Sequence, residues 1–157
     1  MSATEQRAPF IRPVRLQDAA EIAELSGQLG YPVSAREMSS RLSRSLDDPD
    51  YAIVVAEGTD GSLLGWIGVE CRFLLELGEE VEIVGLVVRQ GARRLGVGKA
   101  LLGAAEEWAR GRGLASIRVR SNVTRPESHP FYERMGYARV KTQHCYRKPL
   151  GVPNEAA

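Results

Sequence analysis

A single mixed α/β domain is the fold class this sequence predicts, with elements in the order β-α-α-β-β-β-α-β-α-β-β. Three observations carry that prediction. The apolar spacing is helical through residues 17–46, strand-like through 51–89, and helical again after Gly96. Gly, Pro and Asp breaks fall at the changes of period. The chain has 157 residues, 43% of them hydrophobic, enough to bury one sizeable core and too few for two ordinary domains.

Residues 1–9 are expected to form a mobile tail. "FIRPVR" then reads as a short strand, with Pro13 suited to an edge or irregular position. Leu16, Ala19, Ala20, Ile22, Ala23, Leu25 and Leu29 recur near helical spacing before the stop signals Gly30 and Pro32, which predicts a helix over about 17–29. Ser34 is an N-cap candidate with Glu37 as its capping-box partner; Met38, Leu42 and Leu46 share one stripe, and Asp47, Asp48 and Pro49 end this second helix. "YAIVVAEG" and "LLGWIGVECRFLLE" are strand-like around the turn signal Asp60-Gly61. After "LGEE", the run "VEIVGLVVR" is nearly continuous in apolar character, as a central strand would be. From Gly96 onward, Val97, Ala100, Leu101, Ala104, Ala105, Trp108 and Ala109 form one helical face, closed by Gly111 and Gly113. "LASIRVRSN" alternates like a strand, and "HPFYERMG" is a short helix with Pro130 in its first turn. "YARVKTQHCYRKPL" gives two strand-like pieces, and 150–157 form a second tail. The domain therefore spans 10–149.

Composition narrows the function. A formal charge of +1, from 21 basic and 20 acidic residues, gives no global reason for binding nucleic acid or an anionic membrane. Cys71 and Cys145 are far apart and lack metal-ligand spacing, so neither a disulfide framework nor a zinc site is indicated and no metal is expected. The N-terminus lacks a secretion signal, and no apolar run approaches the roughly 18 residues of a membrane span, so the default compartment is cytoplasmic.

Chemistry concentrates in "GARRLGVGKALL". Two arginines run into a Gly-x-Gly pair where a helix starts, and the first turn of a helix offers unpaired N–H groups and the positive end of the peptide dipole. Such a place suits a diphosphate. The dinucleotide fingerprint fails, because Leu101 stands at its third glycine. The P-loop fails too: counting back from Gly98-Lys99 reaches Arg93, and Ala100 replaces the metal-holding hydroxyl.

The segment Arg93-Arg94-Leu95-Gly96-Val97-Gly98 resembles the R/Q-x-x-G-x-G/A signature of the GNAT superfamily of acyl-CoA-dependent N-acyltransferases. "EIVGLVV" before it, the asparagine of "RVRSN" after it, and "FYERMGY" resemble that family's flanking segments over roughly 10–149. The resemblance implies a mixed, mostly antiparallel sheet with splayed middle strands. It also implies acetyl-CoA as acyl donor: Arg93, Arg94, Leu95, Gly96, Val97, Gly98 and Lys99 at the pyrophosphate, Leu86, Val87 and Val88 along the pantetheine arm, and Asn122 on the cofactor. Tyr132 matches the tyrosine that protonates the departing coenzyme A sulfur and contacts the cofactor; a packed aromatic that only bonds the cofactor is its other reading. Glu82 lies fourteen positions before Gly96, the spacing of the base glutamate in the histone-acetylating branch; it also belongs to the run Glu76, Glu79, Glu80, Glu82, which reads equally as a solvated hairpin face.

The implied reaction is acetyl transfer to a primary amine, small molecule or peptide, by direct attack in a ternary complex. Tyr31 and the acidic run are compatible with a cationic acceptor. His129 reads as a helix-start residue or a substrate contact, and Arg125 as a loop arginine or a phosphate contact. A non-catalytic acyl-CoA-binding module and a nucleotide-binding protein are the competing classes. Homodimerisation, common in the family, is left open.

Overall fold

The structure, a computed structural model, describes residues 7–93, 95–122 and 128–152. The expected tails fall largely outside them, as do Arg94 and Arg125. The chain divides into two compact units, Met1–Arg120 and Ser121–Ala157.

The first unit is built on a five-stranded sheet in sequential order: β1 (Phe10–Pro13), β2 (Tyr51–Glu57), β3 (Leu63–Leu74), β4 (Gly78–Val88) and β5 (Arg118–Val119). β1 to β4 pair antiparallel; β5 joins β4 in parallel over two positions only, Glu82↔Arg118 and Ile83↔Val119. The expected strand over "LASIRVRSN" is thus short, because it has a ladder partner only where it touches β4. Between β3 and β4 the register slips, with Gly68 opposite Gly85 but Val69 opposite Ile83, so Val84 is an extra residue that bends β4 there.

The long connection from β1 to β2 is helical. A 3-10 turn (Leu16–Asp18) leads into α1 (Ala19–Gln28), and α2 (Ala35–Leu46) starts where the Ser34 hydroxyl accepts the Glu37 N–H at 3.1 Å, the forward half of the expected capping box. Their apolar sides close on one face of the sheet, where Ile22, Leu25 and Leu42 pack with Val55 and Val87. Each such Leu contributes roughly 1.5–3 kcal/mol relative to exposure. At the β1 end, the buried Arg12 guanidinium holds Asp18 through two bonds of 2.8 and 2.9 Å and Glu57 at 2.6 Å.

α3 (Val97–Gly111) covers the opposite face with Val97, Leu101, Leu102, Ala105 and Ala109 buried. Gly65 lets it sit close: a Cβ there would lie 2.5 Å from the Val87 carbonyl and 3.2 Å from both Val97 and Leu101. The start of α3 is thereby pressed against the end of β4. Cys71 is buried on β3, and Cys145 is exposed in the second unit.

The second unit contains α4 (Ser128–Arg134), as expected. Residues 137–150, expected to add two strand-like pieces, form no strand. A strand needs a ladder neighbour, an isolated pair is marginal, and this segment offers only Val140 and Thr142 as β-branched residues. No helix among the described residues is long and apolar enough to cross a membrane.

Candidate functional site

The turn from β4 into α3 is shaped by two local features. Arg89 donates its backbone N–H to the Leu64 carbonyl at 2.7 Å and its Nε to the Leu63 carbonyl at 2.9 Å, which ties the end of β4 to the start of β3. A 3-10 turn (Gln90–Ala92) follows, and Gly96 caps α3 with φ of 73°. That left-handed conformation costs other residues about 1–2 kcal/mol. The N–H groups of Val97, Gly98 and Lys99 occupy its first turn, which has no intrahelical acceptors for them. Leu95 instead gives its N–H to the Ala92 carbonyl at 3.2 Å. Arg93 and Lys99 are exposed beside this turn, so their charge adds to the helix end; Val97 anchors it with a fully buried side chain.

β4 leads into this loop with one edge open. Beyond Ile83, its side away from β3 has no ladder partner among the described residues. Since the Arg89 N–H points at β3 and strand groups alternate with period two, Val87 also points its backbone groups at β3. Leu86 and Val88 direct theirs to the open edge. The three residues expected to act together therefore divide: Leu86 and Val88 present hydrogen-bonding groups, while Val87 fills the core. The indole of Trp66 lies over Gly85, where a Cβ would come within 2.6 Å of its Cη2.

The sheet face shared by Trp66 and Val87 changes character toward its other end. There Tyr51 stands opposite Glu70, Glu70 opposite Glu82, and Arg72 opposite Glu80. Glu82 is buried, and its carboxylate is ion-paired to Arg72 and, at 2.9 Å, to Arg120 Nε. Arg72 Nε also lies 3.2 Å from Glu70, and Arg118 lies 3.2 Å from Glu80. Burial, with the Glu70 charge adding to it, raises the Tyr51 phenol above its ordinary 10.0. Glu82 is thus no solvated hairpin charge but the centre of a network at the fork of β4 and β5. Sequence reasoning missed Tyr51, Glu70, Arg72 and Arg120. The charge alternation at 70, 72, 80 and 82 was a usable signal, but only the strand register makes these residues neighbours.

Asn122, His129 and Tyr132 belong to the second unit. His129 Nε2 lies 3.0 Å from the Asn122 carbonyl. Tyr132 packs edge-on against Phe131 and Tyr137, with ring centroids 5.3 and 5.8 Å apart, and burial raises its phenol above 10.0. A neutral phenol near neutral pH is a proton donor. Tyr31 is exposed after α1.

Comparison with known proteins gives a consistent set of relatives. Residues 17–137 match the model of the acetyltransferase (GNAT) family. An aminoglycoside N(6')-acetyltransferase type 1 of Klebsiella aerogenes is 32% identical over 149 residues, covering 91% of this chain and 98% of the relative. A protein of the same name from Stenotrophomonas maltophilia is 31% identical over 147 residues, covering 91% and 95%. Among solved structures, the aminoglycoside N-acetyltransferase AAC(6')-Iy, in complex with CoA, superposes with a TM-score of 0.80 at 20% identity over 90% of this chain and 95% of its own, and so shares the fold.

Proposed function

Since this chain belongs to the acetyltransferase (GNAT) family and is an acyltransferase, we propose that it moves the acetyl group of acetyl-CoA to a cationic primary amine by direct attack in a ternary complex. One observation carries the reading: the left-handed Gly96 opens α3 at the end of a β4 edge that has no ladder partner past Ile83 among the described residues. The two features suit the two parts of one ligand. First-turn N–H groups of Val97, Gly98 and Lys99 would take the pyrophosphate, with Arg93, Arg94 and Leu95 completing the loop. The outward groups of Leu86 and Val88 would take the pantetheine amides as an added strand. When bound, acetyl-CoA supplies an activated thioester.

The chain's own groups supply positioning and proton transfer. Tyr132 acts as general acid toward the departing sulfur, since burial keeps its proton on at neutral pH. Glu82 is the proposed base for the amine, whose ordinary value of about 10.4 for a lysine-like group leaves it almost wholly protonated at neutral pH. Asn122 is proposed to contact the cofactor. The aminoglycoside acetyltransferases among its relatives favour an aminoglycoside-like cationic amine as acceptor, and the buried Glu82 carboxylate at the fork would receive such a cation.

A thiol-release assay with acetyl-CoA and a panel of aminoglycosides, polyamines and lysyl peptides tests this. Release is expected with at least one cationic amine, with intersecting initial-rate lines. Parallel lines would exclude the ternary complex, and no release across the panel would exclude the activity.

A further inference from the structure

Glu82 is the one acidic residue at the β4–β5 fork that is more than nine-tenths buried, with its side chain 8% exposed. Its two oxygens are treated differently. One is bonded to Arg72, whose side chain is a third exposed. The other, Oε1, has Arg120 Nε at 2.9 Å yet has no aligned hydrogen-bond donor among the described residues. Arg120 itself is 67% exposed. The contact on Oε1 is one of charge without direction, made by the most exposed member of the network.

The charge balance singles out the same residue. Glu70, Glu80 and Glu82 face Arg72 and Arg118, three carboxylates against two guanidiniums. Arg120 brings the set to neutrality. Any process that moves Arg120 aside leaves one uncompensated negative charge and one buried acceptor atom. A protonated amine supplies both a positive charge and directed N–H donors, which Oε1 lacks.

We propose that Arg120 is a stand-in for the acceptor: it occupies the Glu82 carboxylate until a cationic amine replaces it, so that it sets affinity for the amine by competing with it. This rests on the proposed function only in taking a cationic amine as the ligand of the fork. Neutral amines cannot displace a guanidinium from a carboxylate without leaving Glu82 uncompensated, so the exchange selects protonated acceptors. Arg120 acts through Glu82 and is a positioning residue.

The test is calorimetric titration of neamine into the full chain saturated with CoA, using wild type, Arg120→Gln, Glu82→Gln and the double variant. Removing the competitor should tighten neamine about two- to fivefold, the range an exposed ion pair contributes. That gain should vanish in the Glu82→Gln background, while affinity for CoA stays the same in all four proteins. Arg120 is exposed, so Arg120→Gln keeps the test decisive even if Glu82→Gln folds poorly. Weaker or unchanged neamine binding in Arg120→Gln, an equal gain without Glu82, or no neamine binding by any of the proteins overturns the inference. Thiol release on the same samples separates the two readings. Turnover with no gain from Arg120→Gln sinks the exchange alone, and a gain without turnover sinks catalysis while the exchange stands.

Discussion

Burial raises the Tyr132 phenol above its ordinary 10.0, and the general-acid role proposed for it draws on the proton it retains. Tyr132→Phe should lower kcat on the order of 10²-fold in steady-state assays, while calorimetry shows unchanged CoA affinity; an unaltered kcat removes the acid role. Any limb of the wild-type kcat profile that this variant loses should lie above pH 10.0, since the folded phenol holds its proton beyond that value. Asp18 behaves in the opposite sense. The Arg12 guanidinium holds its carboxyl below the usual 3.8, with the Arg15 N–H adding and burial opposing. A depressed folded value stabilises the fold fully above the unfolded value and loses that contribution as pH falls through the folded one. Asp18→Asn should therefore cost about 3 kcal/mol at neutral pH by urea denaturation, and the gap to wild type should shrink in acid below 3.8. A gap independent of pH contradicts the pairing.

Two glycines set what β4 and α3 can do as elements. Gly96 holds φ of 73°, so Gly96→Ala should cost about 1–2 kcal/mol and raise KM for acetyl-CoA more than it changes kcat. Equal effects on both parameters would place the turn away from the donor. Gly85 is constrained by contact instead: its Cβ would lie 2.6 Å from the Trp66 ring. Gly85→Ala should overpack this face by about 1–3 kcal/mol, visible as a lower Tm. An unshifted Tm would show that the indole swings away freely.

The molecule as a whole was legible where periodicity is local. Ser34 and Glu37 marked the start of α2, Asp60-Gly61 marked the β2–β3 hairpin, where Asp60 Oδ1 accepts the Ser62 N–H at 3.0 Å, and Gly96 marked the start of α3. What depends on a partner strand was not legible. Ile117 and Val119 alternate like a longer strand, yet pairing with β4 stops at Val119. Residues 137–150 were expected to pair and do not. The proposed donor site stands out in the sequence because its arginines and glycines lie within one short segment, 93–98. The Glu82 network could not, because it joins four strands through registers and a bulge at Val84 that one sequence does not display.

Coenzyme A is proposed to lie against the open edge of β4 and the first turn of α3. Residue-resolved amide hydrogen exchange with and without CoA reads that placement at each N–H. New protection is expected at Leu86, Val88, Val97, Gly98 and Lys99, with Val87 unchanged because its N–H already faces β3. Protection confined to Val87, or none along this edge and turn at saturating CoA, would contradict it.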